Sequence, residues 1–458
     1  MRRGWIGIRV QSKRVIVLLL AALLGKASAA TVDVIRFGAT PNDDADDAPA
    51  IQKAIDQSAT GDTISFSPGV YLLSKALVFK SDRNYLGKET VLRRSEPGDF
   101  VAHTENDHGA NVVIEGLTFD TAGFAFTGSG KVKAHDIRIE RCSFTNITQK
   151  KYPFNTAIYI PIGGSNCKIS GNVFRNICGD MGIASWNLDH TLISDNEFEG
   201  VNEGMHLNGV TADCQVLRNR GVHIHRMGIE IQGKDNANLV VEDNHFANWV
   251  EPFPDSFGLS IVPSSGPNIS VRYNTVLARP PMPGKWTSRF GFGLEIGGDV
   301  FCRDNLSEGY WWNGIVIGGK RATVTHNLVR GPHSGEYTTP SKIVLEPGSD
   351  KDTETISDNT QIITATFIEN PTALQIRQDG SAAALSWKVP STNHTGFKVE
   401  RRIFPGNYSI IATLPAEARS YTDKAITSGN EYTYRIQAFN DAGDVTYSPS
   451  ALLITPKP

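Results

Sequence analysis

Hydrophobic and polar residues alternate in six short stretches of the chain, and each stretch begins with a glycine. The stretches begin at Gly182, Gly204, Gly228, Gly258, Gly293 and Gly314. Side chains on a β-strand point alternately to opposite faces, so the second and fourth residues, such as Ile229 and Ile231, are predicted to lie inside. The third and fifth residues are predicted to point outward.

The third residues of these stretches form a predicted outward column. In chain order the column contains Ala184, His206, Glu230, Ser260, Glu295 and Val316. Two carboxylates, an imidazole and a hydroxyl thus recur at one outward position. We predict that this column is the functional site and that the amides of Asn208 and Gln232, at the fifth position, line it.

An asparagine that follows an alternating strand recurs at intervals of 22 to 32 residues. The repeat includes Asn172, Asn196, Asn219, Asn244, Asn274, Asn305, Asn327 and Asn359, and Leu117 and Cys142 take the same place in two earlier coils. Such a repeat predicts stacked coils from about residue 90 to 365, because one coil alone cannot bury its apolar face. Each asparagine is predicted to tolerate a left-handed bend and to bond to the copies above and below.

Two insertions interrupt the repeat beside the predicted site. One spans residues 249–257 and the other residues 278–292, and they lead into the strands of Ser260 and Glu295. Insertions in repeat proteins form loops on one face, often the binding face. We therefore predict that these loops wall the column.

The N-terminus has the features of an export signal. Five basic residues precede or begin an apolar run, Val15 to Leu24, and Ala27-Ser28-Ala29 supplies a small-residue cleavage site. A run of this length is too short to span a bilayer. Residues 1–29 are thus predicted to be a signal peptide, with the mature protein secreted or periplasmic and without a membrane span.

The segment after the signal resembles a known family. Phe37-Gly38-Ala39 is followed by an acidic turn, an Ala50–Asp56 helix pattern and Pro68-Gly69-Val70-Tyr71. Residues 32 to 95 thereby resemble the entry segment of the pectate-lyase-type right-handed β-helix superfamily. This resemblance implies an all-β fold, a right-handed parallel β-helix with a short N-terminal capping helix over residues 30–367, and it does not name a reaction.

The pattern changes near residue 368, where seven short strands follow one another to the end of the chain. Trp387, Ser420-Tyr421-Thr422-Asp423 and the run Tyr432 to Asn440 resemble a fibronectin type III domain. Residues 368–458 are therefore predicted to be a β-sandwich of this type. No catalytic set clusters in it, so a spacer or an adhesion module is its expected role.

The two glutamates suggest glycosidic chemistry. Strands of neighbouring coils lie about 4.8 Å apart, so Glu230 and Glu295, two coils apart, are predicted at about 9 to 10 Å. This matches the upper end of the carboxyl separation of inverting glycosidases, about 6.5 to 9.5 Å. The alternative is a polar, solvated strand face. His206 is expected either to tune the pKa of Glu230 or to bind a sugar hydroxyl, unless it is an ordinary surface histidine.

Further polar and aromatic residues are predicted to bind substrate around this pair. They comprise Asp180, Glu203, Arg226, Asp255, Ser260, Arg289, Trp286 and Trp312, in addition to His206, Asn208 and Gln232. Charged groups and aromatic faces both suit a sugar-binding cleft. Loop salt bridges and ordinary packing are the alternatives.

Composition narrows the classes of partner. The formal charge of −3 argues against nucleic acid as a partner. The five cysteines lack zinc-ligand spacing, and we predict no metal or other cofactor. Cys167 and Cys214 align with Leu239 and Ile269 of other coils and are expected to be buried.

The sequence predicts a carbohydrate-active enzyme that hydrolyses a poly- or oligosaccharide, with either glutamate as acid or base. The motifs of the polygalacturonate-cleaving branch are not present as a set, so two alternatives remain. One is a lyase or epimerase of uronic-acid polymers, with Arg226, Lys234 or Arg289 as base. The other is a carbohydrate-binding adhesin without turnover. The oligomeric state, a homo-oligomer included, is left open.

Overall fold

The structure is a computed structural model that describes most of the chain after the predicted signal. It covers residues 29–96, 98–105, 109–127, 132–233, 235–249, 255–261, 267–279, 290–309, 313–331, 343–346, 349, 355–362 and 368–457. The signal peptide and most of both insertions lie outside this set. No helix within these ranges is long and apolar enough to cross a membrane.

A short helical cap opens the first coil. A 3-10 helix spans Val34–Phe37 and an α-helix spans Ala48–Gln57. Ile51 and Ile55 of the α-helix are fully buried against the first coils, as their helical spacing predicts. Asp46 Oδ1 accepts a hydrogen bond from the amide of Ala48, the first residue of the α-helix, whereas the side chain of the N-cap residue Asp47 makes no capping hydrogen bond.

The described part of the β-helix contains 34 strands, all paired in parallel, in three sheets named here by their contents. The first is the ladder sheet, whose later strands each end just before a recurring asparagine. Its separate strands are Thr31–Asp33, Thr63–Phe66, Arg138–Glu140, Lys168–Ser170, Leu192–Ser194, Cys214–Leu217, Leu239–Glu242, Ile269–Arg272, Val300–Arg303, Thr323–Thr325 and Thr355–Ser357. The phenylalanine sheet follows the asparagines: Gly69–Leu73, Ser143–Thr145, Arg220–Ile224, His245–Trp249, Thr275–Arg279, Leu306–Glu308, Leu328–Arg330 and Thr360–Ile362.

The site sheet contains the alternating stretches that begin with glycine, here called the glycine phrases. Its separate strands are Leu77–Phe79, Ala102–Thr104, Phe124–Ala125, Ile158–Ile160, Met227–Gln232, Asp255–Ile261, Phe290–Gly297, Asn313–Gly318 and Ile343–Leu345. Four long strands bend through two sheets: Arg83–Arg94, Val112–Asp120, Val173–Asp189 and Glu197–Ala212. Two short strands, Ala134–His135 and Gly164–Ser165, lie just before the ladder sheet. The fold class is therefore the predicted one.

The asparagines form a buried hydrogen-bonded ladder. The main-chain amide and the Nδ2 of Asn219 both donate to Oδ1 of Asn244, each at 3.0 Å, and this pattern continues from Asn172 to Asn359. The predicted bonds between coils are confirmed. The predicted left-handed bend is one residue earlier, because Arg218 and Asp243, not the asparagines, have positive φ angles of 53° and 59°.

Removing one amide from this ladder is expected to destabilise the fold measurably. Asn219→Ala leaves the buried amide of Asn196 without its acceptor, and an unsatisfied buried polar group costs about 1–3 kcal/mol. Urea unfolding followed by circular dichroism measures the loss. Gln215→Ala, which removes an outward-facing amide from the same coil, is the matched control and should change little; equal effects in both variants would contradict the ladder's role.

The recurring glycines are required because neighbouring coils approach closely. A Cβ on Gly204 or Gly228 would lie 2.4 Å from the carbonyl oxygen of the next phrase glycine, and one on Gly258 would lie 2.7 Å from it. A Cβ on Gly228 would also collide with the interior side chain of Phe246, and one on Gly258 with that of Val276. The phrase therefore begins with glycine for a packing reason, and the glycine does not mark the chemistry.

Stacked rings fill the interior behind the phenylalanine sheet. Phe119, Phe144, Phe174 and Phe198 follow one another with ring centroids 4.6 to 5.2 Å apart and nearly parallel planes. Cys142, Cys167, Cys214 and Cys302 are also buried, whereas Cys178 is exposed. Burial of Cys167 and Cys214 agrees with their alignment with Leu239.

The C-terminal domain is an antiparallel β-sandwich. Its strands are Thr372–Asp379, Ala382–Lys388, Gly396–Ile403, Ser409–Pro415, Ser420–Asp423, Glu431–Phe439, Val445–Tyr447 and Ala451–Ile454. The sequence predicts seven strands, the last from Ser448 to Thr455. The described domain has eight strands, and the stretch from Ser448 to Thr455 is not a single strand. Pro449, which cannot donate to a sheet ladder, lies between the last two strands.

Buried charges join the sandwich to the β-helix. Arg402 is fully buried, with Nη1 2.8 Å from Oε2 of Glu242 and Nη2 paired with Asp243. The Tyr408 hydroxyl donates to Oδ1 of Asp243 at 2.8 Å. The sequence analysis did not predict this contact, because the partners are about 160 residues apart.

Candidate active site

The predicted outward column exists in the register that the glycine phrases imply. Paired residues on successive strands of the site sheet run through Ala184, His206, Glu230, Ser260, Glu295 and Val316. The second and fourth residues of each phrase, such as Ile229 and Ile231, are fully buried inside. The alternation thus places both glutamates on one outer face, with Ser260 between them.

The column is far less exposed than a solvated strand face. Glu230 is 8% exposed and Ser260 is 4% exposed, while Ala184 is fully buried. A small apolar cluster covers part of this face: Met227, Phe257, Phe292 and Val316. Three of these residues directly precede a phrase glycine, a position that the alternation did not assign to the outer face. This burial argues against the alternative of a merely wet strand.

A buried network holds Glu230. His206 Nδ1 lies 2.8 Å from Oε2 of Glu230 and 3.6 Å from Oε2 of Glu203. Glu203 has no exposed surface and pairs through Oε1 with Arg226. Gln232 Nε2 donates to the other Glu230 oxygen at 2.6 Å. Four of the residues predicted to bind substrate thus contact Glu230 or each other.

This network sets the ionisation of its members. Burial disfavours the charged imidazole of His206, but Glu203 and Glu230 outweigh burial and raise the pKa of His206 to about 9. Burial likewise opposes ionisation of Glu230, yet His206, with help from Gln232 and Arg226, holds the pKa of Glu230 below its usual value. At neutral pH this site holds an ionised Glu230 against a cationic His206.

Glu295 lies in the opposite kind of environment. Burial raises the pKa of Glu295, and the negative charges of Glu346 and Glu230 add to that increase. Ser260 Oγ donates a hydrogen bond to Oε2 of Glu295 at 2.7 Å, and this bond offsets only part of the increase in the pKa. The pKa values of the two glutamates are therefore shifted in opposite directions, upward for Glu295 and downward for Glu230. Enzymes that use one carboxyl as acid and another as base separate the two pKa values by environments of this kind.

Asp180 is a half-buried carboxyl at the edge of this network. The side-chain amides of Asn155 and Asn202 donate to its two oxygens, each at 3.2 Å. Burial, with the charge of Glu203, raises the pKa of Asp180. Asn208 is half-buried in the same row as Gln232. Sequence reasoning did not select Asn155 or Asn202, since neither lies in a glycine phrase.

The side chains of five residues with predicted roles cannot be placed. Trp286, Arg289 and Trp312 lie outside the described residues, as does Lys234, and Asp255 is described only in its backbone. The two loops predicted to flank the column also lie largely outside the described residues. Their roles therefore stay predictions.

Glu203, His206 and Glu230 are the one group of described residues that has the geometry to hold a metal ion. Their ligand atoms lie within 4.8 Å of one another. A metal would have to displace the proton of His206, and Arg226 already neutralises Glu203. Because the two cations balance the two carboxylates, we assign no metal to this site.

Comparisons with known proteins agree with this architecture. Residues 31–251 match the family described as "Rhamnogalacturonase A/epimerase, pectate lyase-like", and residues 369–452 match the fibronectin type III domain. The chain thus combines a pectate-lyase-like β-helix with a C-terminal fibronectin type III domain. Both resemblances noted from the sequence are confirmed. No curated protein matches the chain.

Solved structures include similar chains for both parts. A family 28 exopolygalacturonase from Yersinia enterocolitica is 13% identical, with 74% of this chain and 78% of that chain covered and a TM-score of 0.43. An Fn3-like protein from Clostridium thermocellum is 31% identical, with 20% of this chain and 96% of that chain covered and a TM-score of 0.17.

Proposed function

We propose that this protein is a carbohydrate-active enzyme that hydrolyses glycosidic bonds of a poly- or oligosaccharide on the outer face of the site sheet, with inversion. The observation that supports this best is the contrast between the two glutamates. Glu230 is ion-paired with His206, whereas Glu295 is half-buried beside Ser260 with no described cation in contact. The family match supports the polysaccharide class.

The proposal assigns a role to each carboxyl. Glu295, whose pKa is raised, donates its proton to the glycosidic oxygen as the bond breaks. Glu230, which is ionised, accepts a proton from a water molecule that attacks the anomeric carbon from the opposite side. His206 and Gln232 are positioning residues, because they hold Glu230 and keep it charged.

The spacing of the carboxylates favours inversion. Glu230 and Glu295 are two strand spacings apart, about 9.6 Å between backbones, which leaves room for a water molecule. A retaining mechanism needs carboxyls about 5 Å apart. Glu203 and Glu230 lie within 4.8 Å, but Glu203 is fully buried and paired with Arg226, so it cannot reach a sugar.

A lyase or epimerase is the second candidate, and the described site favours it less. Arg226 was one predicted base, yet its guanidinium is paired with the fully buried Glu203. A product that absorbs in the ultraviolet, or activity lost on addition of a chelator, would support the lyase instead. Binding without turnover on a polysaccharide panel would support an adhesin.

We further propose that the protein is exported and cleaved after Ala29. The basic residues, apolar run and small-residue site support this assignment. Expression of the full chain in a bacterial host followed by N-terminal sequencing should give a mature protein that begins at Ala30. An intact N-terminus on exported protein would contradict it.

The pH profile of hydrolysis tests the two roles. Activity should fall on the acid side as Glu230 takes up a proton and on the alkaline side as Glu295 loses its proton, which gives a bell shape. His206→Asn removes the cation that lowers the pKa of Glu230. The acid limb should therefore move to higher pH, while the alkaline limb stays in place. An unchanged acid limb would show that His206 does not act through Glu230.

A further inference from the structure

A row of aromatic rings continues the outward column toward the N-terminus. Tyr159 pairs with Ala184 in the column, and Trp186 lies at the fifth position, in register with Asn208. The rings of Tyr159 and Trp186 lie 5.9 Å apart at 79°, and the Trp186 ring lies 6.2 Å from that of His206. The aromatic row therefore reaches the network that holds Glu230.

These rings are held in place but face water. The Tyr152 and Tyr159 hydroxyls lie 3.0 Å apart, and the buried ring of Phe100 stacks beside Tyr159 at 6.1 Å. Tyr152 is 48% exposed, and Tyr159 and Trp186 are half-buried. Ring surface that faces solvent beside a polar site is unlike the interior rings of this β-helix, which are fully buried.

The described cations at the column are already paired with carboxylates and so offer little to an anionic ligand. Asp180 and Glu230 line the described part of the site, Glu203 lies fully buried behind them, and Arg226 and His206 are the cations paired among them. Both cations already contact carboxylates. A uronate would bring a further carboxylate to this cluster, whereas a neutral sugar would not, and the apolar face of a sugar ring stacks on aromatic rings.

We propose that Tyr152, Tyr159 and Trp186, here called the aromatic platform, bind neutral sugar residues of the polysaccharide. Tyr159 is three strand spacings from Glu230, about 14 Å. The platform therefore binds the chain away from the bond that is broken, and its contribution is affinity and placement along the column. This inference rests on the proposed function only in that the ligand is a carbohydrate.

The test measures binding without turnover. The full chain with Glu295→Gln, which slows turnover and keeps the Glu230 carboxylate paired with His206, is titrated by calorimetry with neutral hexasaccharides of glucose, mannose and xylose, and with hexagalacturonate. At least one neutral hexasaccharide should bind more tightly than hexagalacturonate. Adding Trp186→Ala or Tyr152→Ala should raise its Kd about tenfold, as expected for loss of one stacking contact.

Phe301→Ala is the matched control, since Phe301 is 39% exposed on the ladder sheet and its loss should leave Kd unchanged. Tighter binding of hexagalacturonate, no binding of any neutral hexasaccharide, or a Kd unaffected by both platform substitutions would overturn the inference. If the wild type binds a neutral hexasaccharide through the platform but does not cleave it, the hydrolase proposal fails and the platform stands.

Discussion

Replacement of Glu295 by glutamine should lower the rate of polysaccharide hydrolysis by about 10²- to 10⁴-fold, the usual contribution of a general acid. Glutamine keeps the size and the contact with Ser260 but has no proton to donate. A sugar with a nitrophenyl leaving group needs little protonation. The Glu295→Gln variant should therefore retain much of its activity on such a substrate if the enzyme accepts it.

Glu230→Gln separates the roles further. This variant should lose activity on both the polysaccharide and the nitrophenyl glycoside, because water still has to be activated. Glu346→Gln is the matched control, since Glu346 is exposed and acts on Glu295 only through its charge. If the nitrophenyl substrate rescued Glu230→Gln and not Glu295→Gln, the two roles would have to be exchanged.

Arg402→Ala should be the most destabilising change at the contact between the two domains. It leaves the buried carboxylate of Asp243 without its ion-pair partner and removes one of the two cations on Glu242, which keeps Arg272. Breaking a buried pair in this way costs about 3–5 kcal/mol. Urea unfolding of the full chain measures the loss. We expect the transition midpoint to fall and the fibronectin domain to become more accessible to protease.

An exposed ion pair provides the comparison for Arg402. Arg377 lies 3.9 Å from Asp379 on the surface of the same domain, with 78% of its side chain exposed. Such pairs contribute little to stability, so Arg377→Ala should leave the midpoint nearly unchanged. If Arg402→Ala also left the unfolding midpoint unchanged, the buried charges would not hold the domains together.

The periodicity of the sequence was sufficient to predict stacked coils and the register of the site, and the family resemblance implied the right-handed β-helix. Strand alternation has a period of two residues, so one glycine phrase fixes which side chains point outward. The asparagine repeat then fixes which phrases stack. Both features are local, and Glu230 and Glu295 consequently fell in one column, as predicted.

The burial of that column could not be predicted in the same way. Met227 and Phe257 precede the phrase glycines, where the chain bends between two sheets, and simple alternation fails at a bend. Because the sequence does not predict that these two side chains cover the outer face, it indicates a substrate-binding role for Glu203. The structure places it fully buried beside Arg226, where it supports His206.

The separation of the two pKa values was also beyond the sequence. It depends on which carboxyl contacts a cation, and His206 stands one strand from Glu230 but three from Glu295. Pairs such as Arg402 with Asp243 are 159 residues apart and belong to no repeat. No local pattern reports contacts of this kind.

The hydrolase assignment is tested most directly by a single screen of the purified, full-length protein against a library of neutral and acidic polysaccharides. Reducing ends, ultraviolet absorbance and, by proton NMR, the anomeric configuration of the first product are followed together. We expect reducing ends with inverted configuration, no absorbing product, and no release by the Glu230→Gln, Glu295→Gln variant. An unsaturated, absorbing product, or full activity in that double variant, would contradict the account.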